Sequence, residues 1–279
     1  MSAKILYGKD YADKIKQEVK DYITENNKNV GLAVIIVGSD PASQVYVRNK
    51  AKACDEVGIT STTIELPEES TKEAIISEIH ALNNNDDISG ILVQLPLPKH
   101  LREFEQEILD EISPKKDVDG FLPINVGKLG IGLDCVAPCT PSGVIKMLEM
   151  ENVDFNGKNA VVIGRSNIVG KPMANMLLKK NCTVTICHSR TQNLKYYTKN
   201  ADIVVVAVGQ PNFLTDDMIK KGAIVVDVGI NRVDGKLVGD VNFETVKEKA
   251  SMITPVPKGV GALTIAMLLH NTMMLDKRK

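Results

Sequence analysis

Apolar and polar positions alternate in blocks along the 279 residues, and the period of each block predicts an element. In residues 9–27, Ala12, Ile15, Val19 and Ile23 recur at helical spacing. Residues 31–37 form an unbroken apolar run, the mark of a strand buried on both faces of a parallel sheet. A helix over 42–57, a strand over 59–66, a helix over 71–82 and a strand over 90–95 follow. That is a βαβαβ series, the pattern of an α/β layer. Residues 114–141 are rich in Gly and Pro, show neither period, and read as a long functional loop or a linker. A helix over 142–151 opens a second series, in which strands over 160–163, 183–187, 203–206 and 224–228 alternate with helices. Residues 231–240, NRVDGKLVGD, set Asp-Gly between apolar residues and predict a hairpin. Beyond Pro255 and Pro257 comes a last amphipathic helix, over about 260–274. No repeat of solenoid period and no low-complexity tract interrupts the two series.

One block organises the rest. Residues 159–178, NAVVIGRSNIVGKPMANMLL, read as a short buried strand, a glycine turn and a helix with Pro172 near its start. Backbone N–H groups at a helix N-terminus lack intrahelical partners, and the helix dipole favours negative charge there. Gly164 and Gly170 let the chain turn tightly and approach a ligand. The spacing is Gly-x-Ser-x-x-x-Gly rather than the standard dinucleotide fingerprint, so an ordinary αβ turn stands beside a dinucleotide site as a reading. The next strand adds weight to the second. In NAD enzymes an acid near its end bonds the ribose 2′-hydroxyl. Here the strand ends His188-Ser189-Arg190, and no Asp or Glu occurs from 155 to 201, whereas Arg165, Lys171 and Arg190 do. Arg meets a phosphate with paired charged hydrogen bonds. A solvated basic face would look the same in composition; the pattern nevertheless favours NADP over NAD.

Composition narrows the classes. The 43% hydrophobic and 25% charged content is that of an ordinary globular chain, long enough for two cores. A net charge of −1 gives no reason to expect nucleic acid or a membrane as partner. Trp is absent and aromatics make up only 4%, which argues against a platform for single strands. Cys135 and Cys139 lie four apart, but no second pair or nearby histidine completes a zinc set, so no metal is expected. The five cysteines read as thiols in a reducing compartment. The first residues lack the apolar core of a signal peptide, and no apolar run reaches spanning length, so a cytoplasmic location is expected.

Three places in the first half offer chemistry. In Ser43-Gln44-Val45-Tyr46-Val47-Arg48-Asn49-Lys50, Tyr46 and Lys50 share a helix face, with Ser43 one turn before. A ring beside an amine holds a flat ligand and exchanges a proton with it; a surface Tyr–Lys pair has the same spacing. Gln94 follows the apolar strand in VQLPLP, and ligands of open α/β sheets bind outside the carboxyl ends of strands. The third place is Asp117-Val118-Asp119-Gly120-Phe121, where a carboxylate in a half-enclosed loop accepts two hydrogen bonds from an amino-heterocycle. Either of the last two also fits a plain turn residue.

Taken together, YVRNKAKACDEVGI, GILVQLPLP, KDVDGF, TPSGVIKML, VVIGRSNIVGKPMANML, DVGIN and ITPVPKGVGALTIAMLLHNT resemble, in order, the motifs of the bifunctional methylenetetrahydrofolate dehydrogenase/methenyltetrahydrofolate cyclohydrolase family. The resemblance spans nearly the whole chain. It implies hydride transfer from 5,10-methylenetetrahydrofolate to NADP, then hydrolysis of the methenyl cation to 10-formyltetrahydrofolate, at one site between the domains. It implies Lys50 as catalytic lysine, Gln94 as the group that positions its amine, and Tyr46 as the ring stacked on the folate. Asp119 is then the carboxylate that holds the pterin, with Ser43 lining the same substrate site. Gly164, Arg165, Ser166, Ser189 and Ile230 match cofactor-contacting positions, Arg165 and Ser189 as readers of the 2′-phosphate. A homodimer joined through the cofactor domain is also implied.

The resemblance has one departure. Where the family usually reads PVPGGVGPMT, this chain has Pro255-Val256-Pro257-Lys258-Gly259-Val260-Gly261-Ala262-Leu263-Thr264. A backbone needing positive φ at Lys258 would resist a side chain, while the added charge would favour an acidic folate tail. The expected fold is α/β, with two αβ domains. Residues 1–140, joined by a C-terminal helix in 257–279, form the folate-binding catalytic domain, and 141–256 the Rossmann-type NADP-binding domain. The rivals are another two-domain NADP dehydrogenase, such as a shikimate dehydrogenase relative, and a non-catalytic NADP-binding protein. No Gly-x4-Gly-Lys-Ser/Thr loop occurs, which removes a fused ATP-dependent ligase.

Overall fold

The computed structural model describes residues 2–279. In chain order the elements are β1 (Lys4–Ile5), α1 (Gly8–Asn26), β2 (Gly31–Val37), α2 (Pro41–Val57), β3 (Thr60–Leu66), α3 (Lys72–Asn83) and β4 (Gly90–Val93). Next come α4 (Glu105–Asp110), α5 (Pro123–Gly130), α6 (Cys139–Met150), β5 (Asn159–Ile163), α7 (Gly170–Lys179), β6 (Thr183–Cys187) and α8 (Leu194–Lys199). The chain closes with β7 (Ile203–Val206), β8 (Ile224–Asp227), β9 (Asn231–Val233), β10 (Lys236–Val238), α9 (Phe243–Val246), β11 (Met252–Ile253) and α10 (Gly261–Asp276).

The chain divides into two compact units. One comprises Asp13–Lys128, Asp134–Ala137 and Ile265–Lys279. Its sheet has the order β3-β2-β4, all parallel, with β2 buried along its whole length. That burial on both faces is why β2 carries no polar alternation. Ala33, Ile35, Ile75, Ile79, Ile91 and Ile108 anchor its core. The strand order reverses at β2, since β3 pairs on one side and β4 on the other. The segment after α4 extends the sheet by a parallel bridge of Asp117 to Ile91.

The other unit holds the chain up to Ala12, Leu129–Leu133 and Pro138–Thr264. Its six-stranded sheet has the order β1-β11-β8-β7-β5-β6, all parallel, around a core that includes Val161, Ile163, Val204, Val206, Val225 and Ile253. Here too the order reverses beside a single strand, β5, which lies between β6 and β7. The hairpin β9–β10 turns through Asp234 and Gly235, both at positive φ (47° and 77°), as the Asp-Gly pair requires.

Three sequence expectations need correction. The N-terminal segment belongs with the six-stranded sheet rather than with residues 13–128, because Lys4 and Ile5 pair with Met252 and Ile253. Two residues are too few to carry a period, so only the pairing reveals the strand. Residues 114–141 are not a structureless loop, for α5 lies within them. The last helix is not amphipathic: in α10, Ala266, Met267, Leu268, Leu269, Met273 and Leu275 are all buried, which leaves little polar face.

Candidate active site

The first cluster grows from the carboxyl ends of β2 and β4, beside the strand-order reversal where open α/β sheets receive ligands. After β2 the chain turns at Gly38, at φ 80°, and enters α2, whose cap Asp40 accepts a hydrogen bond from Ser43 N at 2.8 Å. Helical phase then separates the side chains by depth. Ser43 and Val47 are buried, Lys50 is half-buried, and Tyr46 is 52% exposed with its ring open to a ligand. Gln94 emerges one residue past β4, its own N–H bonded to Ile35 O at 2.8 Å. Its side-chain amide donates to Leu95 O at 2.7 Å, which turns Oε1 toward Lys50. Lys50 Nζ donates to that oxygen at 2.8 Å. Two residues 44 apart in sequence thus form one unit.

Asp117 and Asp119, equivalent on paper, have different surroundings. Asp117 is 3% exposed and is fully used by the loop. It accepts from Gly120 N at 2.9 Å, Leu122 N at 3.1 Å and Asn125 Nδ2 at 2.8 Å. Asp117 is therefore the turn residue. Asp119 is half-buried, and its flanks are pinned. Val118 O accepts from Asn271 Nδ2 at 2.9 Å, and Gly120 sits at φ 67° with no room for a Cβ against Val136 O. Since the bridge of Asp117 to Ile91 is parallel, Asp119 lies toward the same sheet end as Gln94. Sequence reading missed Asn125 and Asn271. The signal for Asn271 is faint, a lone amide in the apolar run of α10.

The second cluster lies at the reversal of the six-stranded sheet. Gly164 ends β5 at φ 131°, and a Cβ there would stand 2.4 Å from Ala207 O at the end of β7. A Cβ on Gly170 would stand 2.3 Å from Gly164 O. The turn between them is a cradle of backbone that only glycine permits. Ser166 Oγ accepts from Val169 N at 3.2 Å and Gly170 N at 3.3 Å, shaping the entry to α7 and leaving its own O–H to donate outward. Arg165, Ser189 and Arg190 are exposed around this turn and the end of β6, and Ile230, after β8, is 55% exposed. His188 to Thr191 form a closed turn, in which His188 N donates to Thr191 Oγ1 at 2.8 Å and Arg190 N to His188 Nδ1 at 3.1 Å. A glycine-lined cradle, helix amides and two exposed guanidinium groups, on a stretch with no Asp or Glu from 155 to 201, fit a dinucleotide with an extra phosphate.

Behind this rim lie two acids that the sequence reading overlooked. Asp227 is 3% exposed and Asp240 has no exposed surface. Burial pushes the Asp227 carboxyl up to about 6; hydrogen bonds from the amides of Val241, Asp240 and Gly229 pull against that rise, and the charge of Asp240 adds to it.

A parallel sheet with a glycine cradle at one reversal, and an amine, an amide and an open ring at the other sheet's edge, define an α/β dinucleotide-dependent enzyme. Family models agree along the chain: the tetrahydrofolate dehydrogenase/cyclohydrolase catalytic domain matches residues 6–119, and the NAD(P)-binding domain of the same family matches 138–279. The bifunctional protein FolD of Acetivibrio thermocellus is 56% identical over 99% of this chain and 98% of its own. The crystal structure of the bifunctional enzyme FolD from Campylobacter jejuni superimposes with a TM-score of 0.95 at 51% identity, covering 99% of both chains. That of the Trypanosoma brucei methylenetetrahydrofolate dehydrogenase-cyclohydrolase, solved with NADP and an inhibitor, gives 0.92 at 39% identity over 100% of this chain and 98% of that one. The chain belongs to the tetrahydrofolate dehydrogenase/cyclohydrolase family. It is a bifunctional enzyme, a dehydrogenase and a cyclohydrolase of one-carbon tetrahydrofolates that uses an NAD(P) cofactor. The Thermus thermophilus shikimate dehydrogenase, at 15% identity and a TM-score of 0.51, shares the fold alone.

Proposed function

We propose that the chain converts 5,10-methylenetetrahydrofolate to 10-formyltetrahydrofolate with NADP, and that Lys50, Gln94, Tyr46 and Asp119 handle the folate. The observation that carries this reading is the 2.8 Å bond from Lys50 Nζ to Gln94 Oε1 on the helix face that also shows Tyr46. In that frame Tyr46 stacks on the flat folate, Asp119 accepts from the pterin N–H groups, and buried Ser43 closes the wall beneath Tyr46. NADP, when bound, accepts the hydride. The glycine cradle of Gly164 and Gly170 admits the pyrophosphate, Ser166 donates to it, Ile230 packs on the cofactor, and Arg165 and Ser189 read the 2′-phosphate.

Loss of hydride leaves a methenyl cation. Water adds to its carbon and gives up a proton; the carbon–N5 bond then breaks, N5 takes a proton, and the carbinol O–H loses one to leave the formyl group on N10. Lys50 is the base and acid for these transfers, and Gln94 holds its amine on the reacting carbon. A lysine beside a developing cation is pushed toward its neutral form, which suits that duty.

The test follows absorbance after methylenetetrahydrofolate is added with NADP or NAD. Wild type reduces NADP without lasting build-up of the methenyl compound. Lys50→Gln lets that compound accumulate, with hydrolysis down by about 100-fold or more. Full hydrolysis in Lys50→Gln sinks the assignment. Arg165→Ala lowers the preference for NADP over NAD by about tenfold or more, the worth of one charged hydrogen bond.

The reading extends to a homodimer joined through the cofactor unit. Edge strand β6 supports it, with Ile186 at 40% and neighbouring Leu178 of α7 at 60% exposure. It also places the enzyme in the cytoplasm. The support is chemical: Cys54, Cys182 and Cys187 are buried thiols that burial keeps protonated, as a reducing compartment allows. No helix among the described residues is long and apolar enough to cross a membrane.

A further inference from the structure

Asp240 accepts four hydrogen bonds with one carboxylate. Oδ2 takes Val208 N at 2.6 Å and Gly209 N at 2.9 Å; Oδ1 takes Gln210 N and Asn231 Nδ2, both at 2.9 Å. Three of these donors are consecutive amides of the turn after β7, and the fourth is the residue next to Ile230. Asp227 fixes Asp240 from behind. Its Oδ1 accepts from Asp240 N at 3.0 Å and Gly229 N at 2.9 Å, and its Oδ2 from Val241 N at 2.9 Å.

The backbone is cleared to admit both groups. A Cβ on Gly229 would lie 2.1 Å from Asp240 Cγ, and one on Gly239 would lie 1.9 Å from Asp227 Oδ2. Each buried carboxylate forfeits its hydration. Seven N–H donors offset that cost here, where an apolar filler would have held the strands together more cheaply. What the carboxylate does that an apolar group does not is to gather amides of two separate loops at fixed angles. The turn after β7 begins at Ala207, whose carbonyl faces the missing Cβ of Gly164. The same carboxylate therefore shapes the loop that abuts the glycine cradle and the loop that presents Ile230.

We propose that Asp240, held by Asp227, is a positioning residue for the dehydrogenase: it ties the turn after β7 and the Ile230 segment into one rigid rim that receives the nicotinamide cofactor. This rests on the reading of Ile230 as a cofactor contact. Asp240 has no exposed surface and so acts through the loops it holds, and its effect is confined to the step that needs NADP.

Full-length Asp240→Asn, Asn231→Ala and Ile230→Ala are compared with wild type for NADP reduction and, separately, for hydrolysis of methenyltetrahydrofolate without cofactor. Asp240→Asn turns an acceptor into an N–H donor facing amides. Its KM for NADP rises by about tenfold while cofactor-free hydrolysis moves by less than about twofold. Asn231→Ala loses only the side-chain bond to Asp240 Oδ1 and its weaker one to Val238 O, and its KM for NADP rises by about threefold with hydrolysis intact. Equal losses in both reactions mean a folding staple and overturn the proposal. If Asp240→Asn does not fold, Asn231→Ala decides: an unchanged KM overturns the proposal. A raised KM in Ile230→Ala with an unchanged one in Asp240→Asn also overturns it. An unchanged KM in Ile230→Ala removes the reading beneath it, and the proposal with it.

Discussion

Lys258 sits at φ 81°, in the left-handed region, with its carbonyl accepting from Gly8 N at 2.8 Å. Holding an L-residue there costs about 1–2 kcal/mol. Glycine removes that strain but loses about 0.4–1 kcal/mol through the freer unfolded chain. Lys258→Gly is therefore expected to raise stability by about 0.5 kcal/mol, read from the midpoint of urea unfolding; a fall in the midpoint would show that the lysine makes a compensating contact. The expectation that a positive φ would oppose this lysine is met by the backbone angle, and the chain tolerates it. Asp227 supplies a second test. Its folded pKa, about 6, lies above the value of 3.8 for a free aspartate. Between those values the folded state binds more protons than the unfolded one, so this group's stabilising contribution is full below about pH 4 and is lost as pH rises through about 6. Relative to Asp227→Asn, wild type should lose stability from pH 4.5 to about 6.5 and then run parallel in urea unfolding, whereas a constant difference across that range would contradict the raised pKa.

Among the elements, α7 and α2 show why identical helical rules serve different ends. α7 begins on the carbonyl of a glycine turn; Gly170→Ala would drive a methyl to 2.3 Å from Gly164 O, and the entry must open. A rise in KM for NADP of about tenfold or more is expected, while cofactor-free hydrolysis persists, and an unchanged KM would show that the cradle tolerates a wider turn. α2 depends on its cap at Asp40 and on its phase, which sends Ser43 and Val47 inward and leaves Tyr46 out. The shared face of Tyr46 and Lys50 was legible in the spacing. The partner of Lys50 was legible only as a candidate, because Gln94 belongs to another strand and nothing local ties the two. Strands β1 and β11 were not legible, since each has two residues and neither shows a period.

For the molecule as a whole, the open edge of the six-stranded sheet is the feature that bears on assembly. β6 ends the strand order and carries Ile186 outward, an arrangement that soluble proteins usually blunt or cover. If the homodimer forms there, Ile186→Arg places an unpaired charge in a buried contact and yields monomers by light scattering at concentrations where wild type is dimeric. A variant that stays dimeric would move the interface elsewhere.

The amino-acid order alone determined the alternation of strands and helices, the glycine turn with its basic, acid-free surroundings, and the face that pairs Tyr46 with Lys50. These are set by periods of two and 3.6 residues and by backbone freedom, all local quantities. It also carried, through long ordered motifs, the family that the matched domains establish. Tertiary structure alone decided that the first strand joins the second sheet, that Asp117 is buried and bonded within its loop while Asp119 is half-buried, and that Asp227 and Asp240 are buried beneath the loops after β7 and β8. Each of those depends on which distant N–H reaches which carboxylate. A hydrogen bond forms only within about 3 Å and at the right angle, and separation along the chain says nothing about either.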